Sequence, residues 1–202
     1  MTHIGIVGTG AWGTTLGILL ARAGHKTVLW SRTESRAKEL AGARINDRSV
    51  PGIEFPDSMS VTASLDESFA DSELVIVVVP SITIRENIRS IADALPTGSS
   101  VVCATKGIEI STGKRMSQVI SEELPRFDIE RIGVLSGPNL APEIAHGKVA
   151  TATVAFPTDS VGESVQTLLS SDMFRVYRSE DVTGVELGGA LKNVIAIGAG
   201  FI

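Results

Sequence analysis

The chain has 202 residues, of which 43% are hydrophobic, 4% aromatic and 20% charged, and its formal net charge is −5. That much apolar material argues against intrinsic disorder, and the negative balance against a global basic field for nucleic acid. A single cysteine, Cys103, excludes an intramolecular disulfide framework and a cysteine-rich zinc site. No apolar run reaches the roughly 18 residues of a membrane span, and Met1-Thr2-His3 lacks the start of a signal peptide. The expectation is a soluble, cytoplasmic α/β protein with no nucleic-acid partner and no membrane insertion.

Short, β-branched apolar runs alternate along the chain with longer amphipathic segments. Ile4 to Val7 predicts a strand, and Trp12, Leu16, Leu19, Leu20 and Ala23 form a helical stripe that should stop at Gly24. Thr27 to Trp30 predicts the next strand. Ala41 to Ser60, with Gly42, Pro51, Gly52 and Pro56, reads as a long loop. Leu74 to Val79 is a strand pattern, followed by the stripe Ile84, Ile88, Ile91 and Leu95 before Pro96. Val101 to Ala104 repeats the strand pattern, and Met116, Val119, Ile120 and Leu124 the helical one before Pro125. Ile132 to Leu135 is a strand, after which Pro138 fits the first position of a helix capped by Ser136 or Gly137. A strand at Ala150 to Ala155 and a helix on Val161, Val165, Leu168 and Leu169 follow. Ser179-Glu180-Asp181 reads as the start of a last helix, rich in small and apolar residues. Several strand runs are apolar on both faces, as in buried parallel sheets, so the alternation predicts a doubly wound, mostly parallel sheet.

Gly8-Thr9-Gly10-Ala11-Trp12-Gly13 matches G-x-G-x-x-G between the first strand and the first helix. In a dinucleotide-binding domain, Gly8 permits the turn, Gly10 lets backbone approach a pyrophosphate, and Gly13 allows helix and strand to pack closely. No Gly-Lys-Ser/Thr follows, which disfavours a P-loop. The second strand ends in Trp30-Ser31-Arg32, where NAD sites usually place an acid; Arg32 can pair with a 2′-phosphate, so the cofactor is NADP or NAD with NADP favoured. Lys106, after the strand at Val101 to Ala104, fits either a ligand contact at a strand's carboxyl end or an ordinary exposed lysine. Lys192 lies among apolar neighbours in Gly-Ala-Leu-Lys-Asn-Val-Ile, so it either snorkels to water or is held in a site for proton transfer. Trp12 either staples the first helix or contacts cofactor. His3, His25 and His146 lack metal-ligand spacing, and no metal is expected.

Five segments, Gly8 to Gly13, Leu74 to Pro80, Ala104 to Gly107, Leu135 to Ala141 and Gly184 to Asn193, together resemble NAD(P)-dependent glycerol-3-phosphate dehydrogenases of the bacterial type. The resemblance implies a Rossmann-like dinucleotide-binding domain over 1–180, then over 181–202 the first helix of an otherwise missing helical substrate domain. It implies reduction of dihydroxyacetone phosphate to sn-glycerol 3-phosphate, a phospholipid precursor, with Lys192 as proton donor. Lys106, Gly137, Asn139 and Lys192 would meet substrate, and Gly8, Gly10, Ala11, Trp12, Gly13, Arg32, Lys106 and Ala141 would meet cofactor. Relatives often have Ser or Thr where this chain has Asn139. The twelve residues Leu191 to Ile202 hold only two polar side chains, Lys192 and Asn193, as a chain cut inside a helical domain would. Cofactor binding with little turnover is therefore expected of these 202 residues, and an apolar tail at Val194 to Ile202 makes a homodimer one expected partner state. The cofactor domain of a related 3-hydroxyacid dehydrogenase, or a non-catalytic nucleotide-binding module, are the other readings.

Overall fold

The computed structural model describes residues 1–201. Ten strands and eight α-helices follow in order: β1 (His3–Val7), α1 (Ala11–Arg22), β2 (Lys26–Trp30), α2 (Glu34–Ala43), β3 (Ile45–Asn46), β4 (Val50–Glu54), β5 (Met59–Thr62), α3 (Leu65–Phe69) and β6 (Leu74–Val77). Then come α4 (Ile84–Ile91), β7 (Ser100–Cys103), α5 (Met116–Glu123), β8 (Ile132–Ser136), α6 (Ala141–Ala145), β9 (Ala150–Ala155), α7 (Asp159–Leu169), β10 (Phe174–Ser179) and α8 (Val182–Ala199). Eight strands form one Rossmann-like sheet in the order β10-β9-β8-β7-β6-β1-β2-β5. Every neighbouring pair in it is parallel except β8 and β9.

The strand runs read as continuous apolar segments because both sheet faces are covered. Ile4, Ile6, Leu74, Ile76 and Val102 point into the core beneath α1, α6 and α7. Their neighbours Val7, Val75, Val77, Val101 and Cys103 point into a second core with α4 and α5. Helix α4 shows the amphipathic logic most sharply: Ile84, Ile88 and Ile91 are buried, while Arg85, Glu86 and Arg89 face outward. Cys103 is wholly buried, and burial pushes its thiol up to about 12. It is therefore expected to resist a thiol-reactive dye in the native protein and to react once urea unfolds the chain; ready labelling of native protein would contradict this packing.

Three expectations are corrected. Ala41 to Ser60 is not a loop: it holds the end of α2, the antiparallel pair β3–β4 and the start of β5. Its turn residues misled because Pro51 sits in a two-stranded ribbon, which tolerates a missing N–H, and Gly52 takes φ 73° there. Pro138 does not begin a helix. It lies in the loop before α6, whose N-cap is Leu140 and whose first turn carries Pro142. Ala23 is exposed and lies beyond the end of α1, so the stripe buries Leu16, Leu19 and Leu20 without it. Strand β10 and helix α2 have no counterpart among the predicted elements. At the sheet edge β10 alternates buried Phe174 and Val176 with exposed Arg175 and Tyr177, and α2 buries only Ala37 and Leu40.

Candidate functional site

The chain runs outward from β1 through β2 to β5, then returns to place β6 on the other side of β1. The crevice outside the carboxyl ends of β1 and β6 is the switch point where open α/β sheets bind ligands. Gly8 turns there at φ 125°, and a Cβ on it would lie 2.4 Å from the Val78 carbonyl oxygen. Gly13 packs α1 onto that turn, since a Cβ would lie 2.3 Å from the Gly8 oxygen. Nothing lies within 4 Å of a Cβ built on Gly10, so the middle glycine faces open space. Ala11 opens α1, whose first N–H groups point toward that space. Because the Gly8 oxygen belongs to a fixed turn, Gly13→Ala is expected to cost about 1–3 kcal/mol. Urea unfolding at constant m-value would measure it, and an unchanged midpoint would refute the close packing.

Two cavities adjoin at this crevice and share Val78, Val79 and Pro80. One, of about 360 Å³, runs from Gly8 and Gly10 to Ser31, Arg32 and Arg36. Arg32 is exposed and pairs loosely with Glu86 at 3.6 Å, while Glu34 pairs with Lys38 on the helix surface. The other, of about 330 Å³, is lined by Trp12, Lys106, Ser136, Gly137 and Asn139, among others. Trp12 also meets the Phe174 ring edge-on at 6.2 Å, so it both packs and faces the cavity.

Hydrogen bonds set the walls of the second cavity. Thr105 Oγ1 donates to the Val79 oxygen at 2.7 Å, joining the segments after β6 and β7. Lys106 Nζ donates to the Gly137 oxygen at 2.8 Å, joining those after β7 and β8. Asn139 Nδ2 donates to the Thr151 oxygen at 2.8 Å, and Thr15 Oγ1 donates to the Ala141 oxygen at 3.1 Å. Helix α8 crosses the end of β8 through Gly189, where a Cβ would lie 2.4 Å from Ser136 Oγ and 3.7 Å from Lys106 Cγ. Lys192 follows one helical turn later, exposed, with Nζ donating to Asn193 Oδ1 at 2.9 Å. Partial burial, and then the positive charge of Lys192, hold the Lys106 ammonium below the usual lysine range.

The predicted residues thus fall into two groups around one crevice. Gly8, Gly10 and Arg32 line the first cavity, with Ala11 and Gly13 behind them on α1. Trp12, Lys106, Gly137 and Asn139 line the second; Lys192 stands outside both linings, on α8, its charge helping to lower the Lys106 pKa. Ala141 stands behind them at the start of α6. Arg36 and buried Asn46 are additions to this set; the spacing of Arg36, four residues after Arg32, was the signal for the first. Among the described residues no group of three or more His, Cys, Asp or Glu could hold a metal ion, and no helix is long and apolar enough to cross a membrane.

The chain that builds this crevice, with its glycine turn and with Lys106 after β7, has close relatives. Residues 3–161 match the family model of the NAD-dependent glycerol-3-phosphate dehydrogenase N-terminus, and residues 181–202 that of its C-terminus. The chain belongs to the NAD-dependent glycerol-3-phosphate dehydrogenase family. It is 41% identical to the glycerol-3-phosphate dehydrogenase [NAD(P)+] of Chlorobium limicola over 98% of its own length and 60% of that protein's. It is 43% identical to the enzyme of that name from Dehalococcoides mccartyi over 100% of its length and 56% of the relative's. The crystal structure of glycerol-3-phosphate dehydrogenase from Coxiella burnetii superposes with a TM-score of 0.88 at 31% identity, over 97% of this chain and 59% of that one. This family member therefore spans somewhat under two thirds of the length of the relatives it matches.

Proposed function

We propose that the gene product reduces dihydroxyacetone phosphate to sn-glycerol 3-phosphate with NADPH or NADH, NADPH being preferred. The carrying observation is Lys106 in the cavity that adjoins the glycine turn, with helix α8, which bears Lys192, seated beside it through Gly189. The residues present suit a dinucleotide: Gly10 leaves open the space that a Cβ would enter, and Arg32 offers an anion partner at the far end. When bound, the reduced nicotinamide supplies the hydride. Lys192 gives a proton to the substrate's carbonyl oxygen as charge develops there. Lys106, already oriented by the Gly137 oxygen, donates a hydrogen bond to substrate and keeps a positive charge near the reacting oxygen. Gly137 and Asn139 shape the substrate side, Trp12 and Ala141 the cofactor side. Positioning and charge carry the chemistry, without a covalent intermediate.

In this reading residues 1–180 form the dinucleotide-binding domain and 181–202 open a helical substrate domain. The Asp181 cap on the Gly184 N–H, at 2.8 Å, supports a boundary there. Ile202, the last residue of that assignment, lies outside the described residues. Exposed Val194, Ile195, Ile197 and Phe201 offer an apolar face for further helices or for a homodimer. The protein would work in the cytoplasm, drawing on its pool of reduced nicotinamide cofactor.

Fluorescence titration of the chain with NADPH and NADH, and NADPH oxidation by the full gene product, test the proposal. Expected are saturable binding of both cofactors and turnover with dihydroxyacetone phosphate. A folded chain that binds neither cofactor would overturn the site, and turnover only with 3-keto acids would overturn the substrate.

A further inference from the structure

The first cavity contains two arginines, and they differ in how they are held. Arg32 at the end of β2 is 58% exposed and reaches only Glu86, itself 72% exposed. Arg36, in the first turn of α2, is 22% exposed and anchored twice. Its Nη1 pairs with Glu39 at 2.8 Å, and its Nη2 donates to Asn46 Oδ1 at 2.7 Å. Asn46 is almost wholly buried, and its Nδ2 donates to the Thr9 oxygen at 2.9 Å and to Thr14 Oγ1 at 2.8 Å. That network leaves the amide only one sensible orientation, since both Nδ2 contacts are acceptors and the Oδ1 partner is a donor. One buried amide thus ties the guanidinium of Arg36 to the backbone of the glycine turn.

We propose that Arg36, held in place by Asn46, is a specificity-determining residue that shares the 2′-phosphate of NADP with Arg32. The inference deepens the dinucleotide reading of this crevice and rests on it. A guanidinium offers several donors in one plane, and a 2′-phosphate can accept from two arginines at once. Pre-organisation favours Arg36, because the buried Asn46 amide already holds one side of its guanidinium. Acidic neighbours do not close the site. Glu39 is half exposed and is also 3.9 Å from Arg48, and Glu86 sits in water, so both ion pairs are weak enough to yield to a dianion. A ribose that carries only a hydroxyl gives Arg36 no charge to pair with, so the contact separates NADPH from NADH.

Titrating the 202-residue chain with NADPH and NADH, and in competition with 2′,5′-ADP and ADP, tests this. Arg36→Gln is expected to weaken NADPH and 2′,5′-ADP by about 10- to 100-fold and to leave NADH and ADP within about twofold. Arg36→Lys keeps a charge beside Glu39 but loses the planar fork, so the NADPH to NADH affinity ratio should fall by an intermediate factor. If either folded variant keeps the wild-type ratio, or if both cofactors weaken equally, Arg36 is structural and the proposal fails. A folded wild-type chain that binds neither cofactor overturns the dinucleotide reading itself and this inference with it. Binding of both with an unmoved ratio overturns the inference alone.

Discussion

Lys192→Met in the full gene product is expected to lower turnover by at least about a thousandfold while leaving NADPH affinity within about twofold. The size follows from what a positioned acid contributes, about 10²- to 10⁴-fold, together with the charge lost beside the reacting oxygen. Affinity should hold because Lys192 stands on α8, away from Gly8, Gly10 and Arg32. A second readout does not depend on turnover. The positive charge of Lys192 contributes to holding the Lys106 ammonium below its usual range. Removing that charge should let the Lys106 pKa rise, so that less free amine exists at a given alkaline pH and acylation of Lys106 slows. Loss of NADPH binding with unchanged Lys106 reactivity would mean that Lys192 supports the fold rather than the chemistry.

The legible parts of this molecule were those whose physics is local. Strands β1, β6 and β7 are buried on both faces, so their apolar runs announce them without reference to partners. The glycine turn was legible too, since Gly8 answers to its own φ of 125° and Gly13 to the Gly8 oxygen within the same β1–α1 unit. Elements at the periphery were harder. Helix α2 buries two side chains only, and β10 alternates, so neither produces a strong pattern. Contacts distant in sequence were hidden altogether. Asn46 lies in a stretch whose prolines and glycines suggested a loop, yet its side chain reaches Thr9, 37 residues away. Pro138 misled for a related reason: its fixed φ suits a helix start, but the loop it occupies is shaped by Gly137 and Asn139 fitting against Thr151 on β9.

Glu186 is another case of a distant contact, and removing it should carry a large stability cost. Its carboxylate is 6% exposed and accepts three hydrogen bonds from α5 and the residue before it. The Ser117 N–H donates at 2.8 Å, Ser117 Oγ at 2.7 Å and Arg115 Nη1 at 2.7 Å. Two of these donors belong to the first turn of α5, where the helix dipole favours an anion. Glu186→Ala would strand the Ser117 N–H and leave Arg115 with only the Ser117 hydroxyl, at 3.0 Å, in place of a carboxylate. Breaking a buried pair in this way costs about 3–5 kcal/mol, and the low end applies because Arg115 retains some contact with water. Glu186→Gln keeps the shape and two acceptable contacts, so it should cost about half as much. Thermal and urea unfolding would rank the variants, and equal stability of wild type and Glu186→Ala would show that the carboxylate contributes nothing. The consequence for chemistry follows from geometry. Glu186, Gly189 and Lys192 lie on one helix, with Gly189 seated on Ser136 beside Lys106. Releasing the Glu186 end lets that helix shift, and a shift of about 1 Å is enough to cost on the order of a hundredfold in a proton transfer that depends on placement. In the full gene product the loss should therefore appear in kcat at saturating NADPH, with NADPH affinity largely kept.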